Sequence, residues 1–161
     1  MRARSAGRRS QSGLTSVEFA IIGGLLMVLV FGIMEVGRAL YVMNMLTEAA
    51  RRGARMAAVC PVGDPKPASV AVFSSTGSTS PVVYGLTTAN IVTEYLDVSG
   101  NPIANAAANF TAIRYVRTRI TGFSLSLLIP IIMPTLPMNG FSATLPRESL
   151  GIPRAGTVTP C

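Results

Sequence analysis

Residues 19–34 carry no charge, and neighbouring positions extend the apolar run back to residue 14 and forward to residue 40. As a helix the uncharged stretch alone covers roughly 24 Å, short of the ~30 Å thickness of bilayer hydrocarbon, so its flanks must contribute to any crossing. Arg38 is compatible with this, because a long basic side chain can lay its stem along apolar surface and extend its charged tip into the headgroups. A single membrane span is expected. Beyond it the pattern becomes amphipathic: Leu40, Met43, Thr47, Ala50, Ala54 and Ala57 recur at steps of three and four, which marks one helical face. Glu48 and Arg52 form an i, i+4 pair on that helix. No break occurs before Cys60-Pro61, where proline disfavours a helical conformation in the preceding residue. One helix is therefore expected from about residue 15 to about residue 58.

The outer half of that helix is rich in small residues, with Ala49, Gly53 and Ala57 at four-residue steps, so another backbone can approach closely. Two partners stay open at this point, a neighbouring helix or the chain's own C-terminal region. Residues 61–82, with Pro61, Pro65, Pro67 and a polar run at 74–80, read as a linker or surface loop interrupted only at 70–73. Residues 91–98 then read as a strand, 99–102 as a turn, 112–120 as a second strand and 141–145 as a third. In the second strand Val116, Thr118 and Ile120 share one face, and Tyr115, Arg117 and Arg119 the other. Arg114, Arg117 and Arg119 could meet an acidic partner or lipid headgroups, against the simpler reading of a solvated sheet face. The apolar residues 125–133 contain Pro130 and precede Pro134 and Pro137, which speaks against a second membrane helix and for a core cover or an assembly surface. The expected fold class is α+β: a long N-terminal transmembrane helix continuing into an amphipathic helix, then a small antiparallel β-sheet domain. The expected divisions are a basic leader at 1–13, the span at 14–40, its amphipathic extension at 41–59 and a β-rich domain at 60–161.

Charge changes this picture little. The net charge of +7 suggests nucleic acid until it is located, since Arg2, Arg4, Arg8 and Arg9 supply four of the fourteen basic residues. The other basic residues are spread out, with no lysine cluster and no interleaved aromatics of the kind a stacking platform needs, so no nucleic-acid partner is expected. About 100 residues remain after leader and helix, enough for one small core.

Two cysteines stand at the helix end and at the last position, Cys60 and Cys161. A bond between them would close a loop of about 100 residues and stabilise the fold by about 4–5 kcal/mol in the chain-entropy model. Two unrelated thiols are the alternative. No catalytic residue is assigned: histidine is absent, and no phosphate-binding glycine loop or metal-ligand cluster is visible. No cofactor and no metal is expected, and the chain does not read as an enzyme.

The junction Gly13-Leu14-Thr15-Ser16-Val17-Glu18-Phe19 lies between the basic leader and the apolar helix. An ordinary secretory signal is cleaved beyond its apolar region, whereas here no Ala-x-Ala site closely follows Met34 and Glu35 and Arg38 come next, so the apolar segment reads as an anchor that stays. Arg8-Arg9 lacks the apolar residues that usually follow a twin-arginine pair. The junction resembles the processing site of a type IV prepilin. The resemblance implies cleavage after Gly13 by a prepilin peptidase, with Leu14 as the new N-terminus and Glu18 and Phe19 at its fifth and sixth positions. Further along, Gly32, Glu35, Gly37 and Arg38 and the run Ala49-Ala50-Arg51-Arg52-Gly53-Ala54-Arg55 complete a pattern similar to that of TadE-like pseudopilins of the tight adherence pilus system. Leu145-Pro146-Arg147-Glu148 is similar to the Arg-Glu that often ends such proteins, with Pro146 where a strand residue is usual.

That resemblance implies a non-catalytic minor pilin or pseudopilin acting in adhesion and biofilm formation. Its partners would be the prepilin peptidase, other pilin and minor pilin subunits and the inner-membrane assembly platform. It would lie in the bacterial inner membrane as a single-pass protein with a periplasmic C-terminal domain, and entry into the extracellular pilus stays open. The arginines on the two sides of the span are nearly balanced, so the outward placement of the domain leans on the leader's denser charge and on the resemblance. For Glu18 two roles remain: neutralising the Leu14 amine of the same or a neighbouring subunit, or a carboxylate at the headgroups favoured by the helix dipole. Glu35 and Arg38 form either a local i, i+3 pair or a contact between subunits. The rival to the whole reading is an uncleaved membrane-anchored binding or scaffold protein of the envelope.

Overall fold

The computed structural model describes residues 12–128, 135–152 and 156–161. Residues 1–11 of the leader, with its four arginines, residues 129–134 of the apolar segment and residues 153–155 lie outside them. The chain opens with one uninterrupted helix, α1 (Ser12–Val59), of 48 residues, a length of roughly 72 Å at 1.5 Å per residue. Through residue 38 the large apolar side chains described are exposed, among them Phe19, Leu25, Leu29, Ile33 and Val36, and Ala39 is the first to pack against the core. From Val42 onward one face is buried, with Leu46, Ala49, Ala54 and Ala57 fully covered.

The cover is a three-stranded antiparallel sheet in the order β1 (Ile91–Leu96), β2 (Tyr115–Ile120), β5 (Ser142–Pro146). In β2, Val116, Thr118 and Ile120 turn inward and are buried, while Tyr115 and Arg119 are exposed on the other face. The alternation read from the sequence therefore describes the central strand of the sheet. Opposite it stand Ile91, Thr93 and Tyr95 of β1, so helix and sheet enclose one apolar layer around Leu46 and another around Ala57. A second, two-stranded sheet pairs β3 (Ser124–Ser126) with β4 (Thr135–Pro137) through Leu125 opposite Leu136. Leu125 is buried in the first layer, so the described start of the apolar segment does serve the core.

Three local expectations are corrected. Residues 61–82 are not all loop, because Lys66–Ala71 form a short helix, α2, that buries Pro67 and Ala71. Pro67 is tolerated in its first turn, where backbone N–H groups have no intrahelical acceptor, and Asp64 Oδ1 accepts from the Lys66 amide at 2.7 Å. The second strand starts at Tyr115, since Phe110–Ala112 close a 3-10 turn. The first strand stops at Leu96: Asp97 bends the chain by accepting from the amides of Ser99 at 2.8 Å and Asn101 at 2.9 Å. Pro146 sits at the last position of β5, an edge strand, where a missing amide costs least.

The carbonyls at the C-terminus of α1 have no intrahelical donors, and the tail of the chain supplies them. Amides of Glu148 and Leu150 donate to Ala58 O at 3.1 and 3.3 Å, and that of Gly151 to Val59 O at 2.6 Å. Gly151 adopts φ +79°, and a Cβ there would lie 2.5 Å from Pro61 Cγ. Only glycine fits that approach without displacing the helix end.

Candidate functional site

Four places along α1 hold the residues singled out above. At the start, Gly13, Leu14, Glu18 and Phe19 all belong to the helix. Gly13 and Glu18 are exposed, and Phe19 is 78% exposed. Over the next turns the helix presents exposed apolar side chains all round among the described residues, and it is long and apolar enough to cross a membrane.

The next polar residues singled out stand where the uncharged run ends, at Glu35 and Arg38. Arg38 Nη2 is ion-paired with Glu35 Oε1 one turn earlier and also donates to the backbone carbonyl of Ser126 at the end of β3. The i, i+3 geometry is that of a local pair, and the second hydrogen bond adds a tie that the sequence did not suggest. Ser126 has no chemical signature a sequence could show, because its contribution is a main-chain oxygen placed by the β3–β4 pairing.

The small-residue stripe comes next. Ala49 and Ala57 are fully buried, and a Cβ built on Gly53 would stand 2.8 Å from Thr118 Cγ2 and 3.1 Å from Ala71 Cβ. The backbone that approaches there belongs to this chain, with β2 on one side and α2 on the other. Thr118, the buried polar residue of the core, sits with its hydroxyl 3.4 Å from that of Thr93 on β1, so a polar oxygen within the apolar layer has a partner.

At the helix end Cys60 is bonded to Cys161, with Cα atoms 5.7 Å apart. The bond ties the last residue to the top of α1, beside the capping amides of residues 148–151.

The charged residues of the sheet also find partners. Glu94 accepts from Arg117 at 2.6 Å and from Arg119 at 2.5 Å on the outer face, because register places Glu94 opposite Arg117 and Arg119 two residues along the same face. Arg114, the third of that set, donates to Thr111 O at 3.4 Å. Two of the three arginines thus share one carboxylate within the sheet, which reduces what the face offers to an acidic ligand. On α1, Arg52 pairs with Glu48 at 3.0 Å and lies 4.9 Å from the centroid of Phe73. Burial raises the Tyr95 hydroxyl pKa; the nearby Asp64 charge also raises it, and a hydrogen bond with the Gly63 backbone opposes the shift. Among the described residues no cluster of three or more His, Cys, Asp or Glu side chains could hold a metal ion.

Residues 13–55 match the family model described as TadE-like protein. The match runs from the Gly13 junction past Ala49 and Gly53 and stops before Ala57 and the helix end, so it covers most of α1 and none of the sheet. The resemblance read from the spaced polar residues of the helix is met by it. No curated protein and no solved structure gives a significant match to the chain.

Proposed function

We propose that the chain is a non-catalytic minor pilin or pseudopilin of a tight adherence pilus, held in the inner membrane by the first half of α1 until assembly. The observation that carries this reading is the division of one unbroken helix into an exposed apolar half and a half buried under a folded domain. Such a helix can exchange lipid for neighbouring helices without any change in the domain it carries, because the described side chains of its first turns are exposed. The TadE-like match over residues 13–55 supports the pilus association.

In this reading a prepilin peptidase cuts after Gly13, the Leu14 amine becomes a cation on the first turn, and Glu18 supplies its counter-charge within or between subunits. The sheet domain lies in the periplasm, and an assembly platform lifts the subunit into or toward a fibre used for adhesion. Because Ala49, Gly53 and Ala57 are occupied by β2 and α2, contacts between subunits fall to the exposed half of α1 and to the outside of the domain. Of the two partners left open for the stripe, the chain's own domain takes it, and helix-to-helix docking in this reading falls toward the N-terminus.

The test is the mature N-terminus, mapped by mass spectrometry on protein recovered from its native membrane, with and without the prepilin peptidase. Leu14 as a peptidase-dependent first residue is the expected outcome, and Glu18→Gln should then block assembly while leaving the melting of the sheet domain unchanged. An intact leader in both strains would sink this reading and leave the uncleaved envelope anchor in its place.

A further inference from the structure

The end of the sheet domain nearest the apolar half of α1 carries large side chains that its own core leaves uncovered. Tyr84 is 94% exposed and Leu128 77% exposed, on segments far apart in sequence. Both come to the same stretch of helix. Tyr84 and Val82 border a cavity with Arg38 and Tyr41, while Leu128 closes one of about 500 Å³ with Phe31, Met34, Glu35 and Arg38. Leu128 therefore stands level with residues that belong to the apolar half of α1.

The height of that level follows from length. A hydrocarbon layer of ~30 Å takes up about 20 helical residues. Whether it begins near Leu14 or near Phe19, its outer boundary falls close to residues 34–38. Leu128 is thus placed at the boundary or below it, and Tyr41 and Tyr84 just above, where amphipathic rings are favoured at headgroup level. The hydrogen bond from Arg38 to Ser126 O fixes the end of β3 at this depth, two residues before Leu128.

We propose that this rim is seated in lipid: Leu128 enters the outer hydrocarbon boundary beside Phe31 and Met34, with Tyr41, Tyr84 and Arg38 at the headgroups. The inference rests on the reading of α1 as a membrane span. Lipid is the occupant because Phe31 and Met34, which share the cavity with Leu128, are part of the surface that the span exposes to the bilayer, and the rim continues that surface without a gap in height. Seated this way, the domain has one orientation on the membrane, and leaving the bilayer requires withdrawing Leu128 as well as the helix.

The sequence has no tryptophan, so single introduced tryptophans report position without background. The full chain is reconstituted in phosphatidylcholine–phosphatidylglycerol vesicles, with or without acyl chains brominated near the headgroup or near the bilayer centre. Leu128→Trp and Tyr84→Trp replace exposed side chains, Leu26→Trp marks the span, and Val98→Trp, 75% exposed beyond the far end of β1, marks the distal domain. Leu26→Trp should lose most of its fluorescence to deep bromines, Leu128→Trp most of it to shallow ones with a blue-shifted maximum, Tyr84→Trp a smaller share, and Val98→Trp none. Leu128→Trp behaving like Val98→Trp while Leu26→Trp is quenched would overturn the seating and leave the span standing. A blue-shifted but unquenched Leu128→Trp would overturn it in favour of a protein contact at the rim. An unquenched Leu26→Trp would remove the span, and the seating with it.

Discussion

The two halves of α1, one apolar all round and one amphipathic, stand in opposite relations to the rest of the chain. Before residue 40, Leu25, Leu29 and Ile33 stand exposed; after it, Leu46, Ala49 and Ala57 are fully covered. The difference lies in side-chain size and in what the helix must meet. Large side chains all round suit a fluid solvent such as lipid, which conforms to any shape, whereas alanines and a glycine on one face suit a rigid sheet that must come close. Glycines in the first half, such as Gly24 and Gly32, have nothing within 4 Å of a built Cβ, while Gly53 has Thr118 and Ala71 against it. The same residue type is therefore structurally neutral in one half and required in the other.

The contrast can be broken most strongly at its covalent clamp. Cys161→Ser opens a closed loop with a sequence separation of 101, and the sheet domain should lose about 4 kcal/mol of stability in the chain-entropy model. Denaturant unfolding of the solubilised chain measures this, and helical content from the first half of α1 should persist past the domain's transition. A change below the error of such a titration would mean that the tail is held by its capping hydrogen bonds alone.

Gly53→Leu against Gly24→Leu compares the halves directly. Overpacking against Thr118 and Ala71 should cost about 3 kcal/mol, while the exposed substitution should stay within about 0.5 kcal/mol. Equal melting shifts for the two variants would refute the division of the helix. Glu94→Gln sets a smaller scale on the outer sheet face. It leaves Arg117 and Arg119 without their shared carboxylate, and because both guanidinia are partly exposed the loss should be about 1 kcal/mol and should shrink in high salt.

The smallest effect is a pH dependence confined to the domain. Burial raises the Tyr95 pKa in the folded chain, so as pH rises from about 10 the unfolded chain loses the proton first, binds fewer protons than the folded one, and stability falls. Melting temperature followed across that alkaline range should decline, and Tyr95→Phe should flatten the decline.

What could be read in advance followed the range of the interaction. The helix was legible because a long apolar run passes without a break into a stretch of helical period and Pro61 stops it. The β2 face was legible because Val116, Thr118 and Ile120 alternate with Arg117 and Arg119. The short helix α2 was not, since six residues that include Pro67 and follow Pro65 offer no period to detect, and the packing of Ala71 beside Gly53 is a contact between distant segments. Nor was the role of Ser126, which acts through a carbonyl that every residue possesses.

From the sequence alone came the apolar run, the amphipathic continuation and the α+β class, because each is written in local period, charge and spacing. Only the tertiary structure decided between the partners left open for the small-residue stripe, joined Glu94 to two arginines, joined Arg38 to β3 and brought Leu128 level with Met34. Those are contacts between segments tens of residues apart, and a pattern of small or apolar side chains states that a close partner is wanted without stating which surface will arrive.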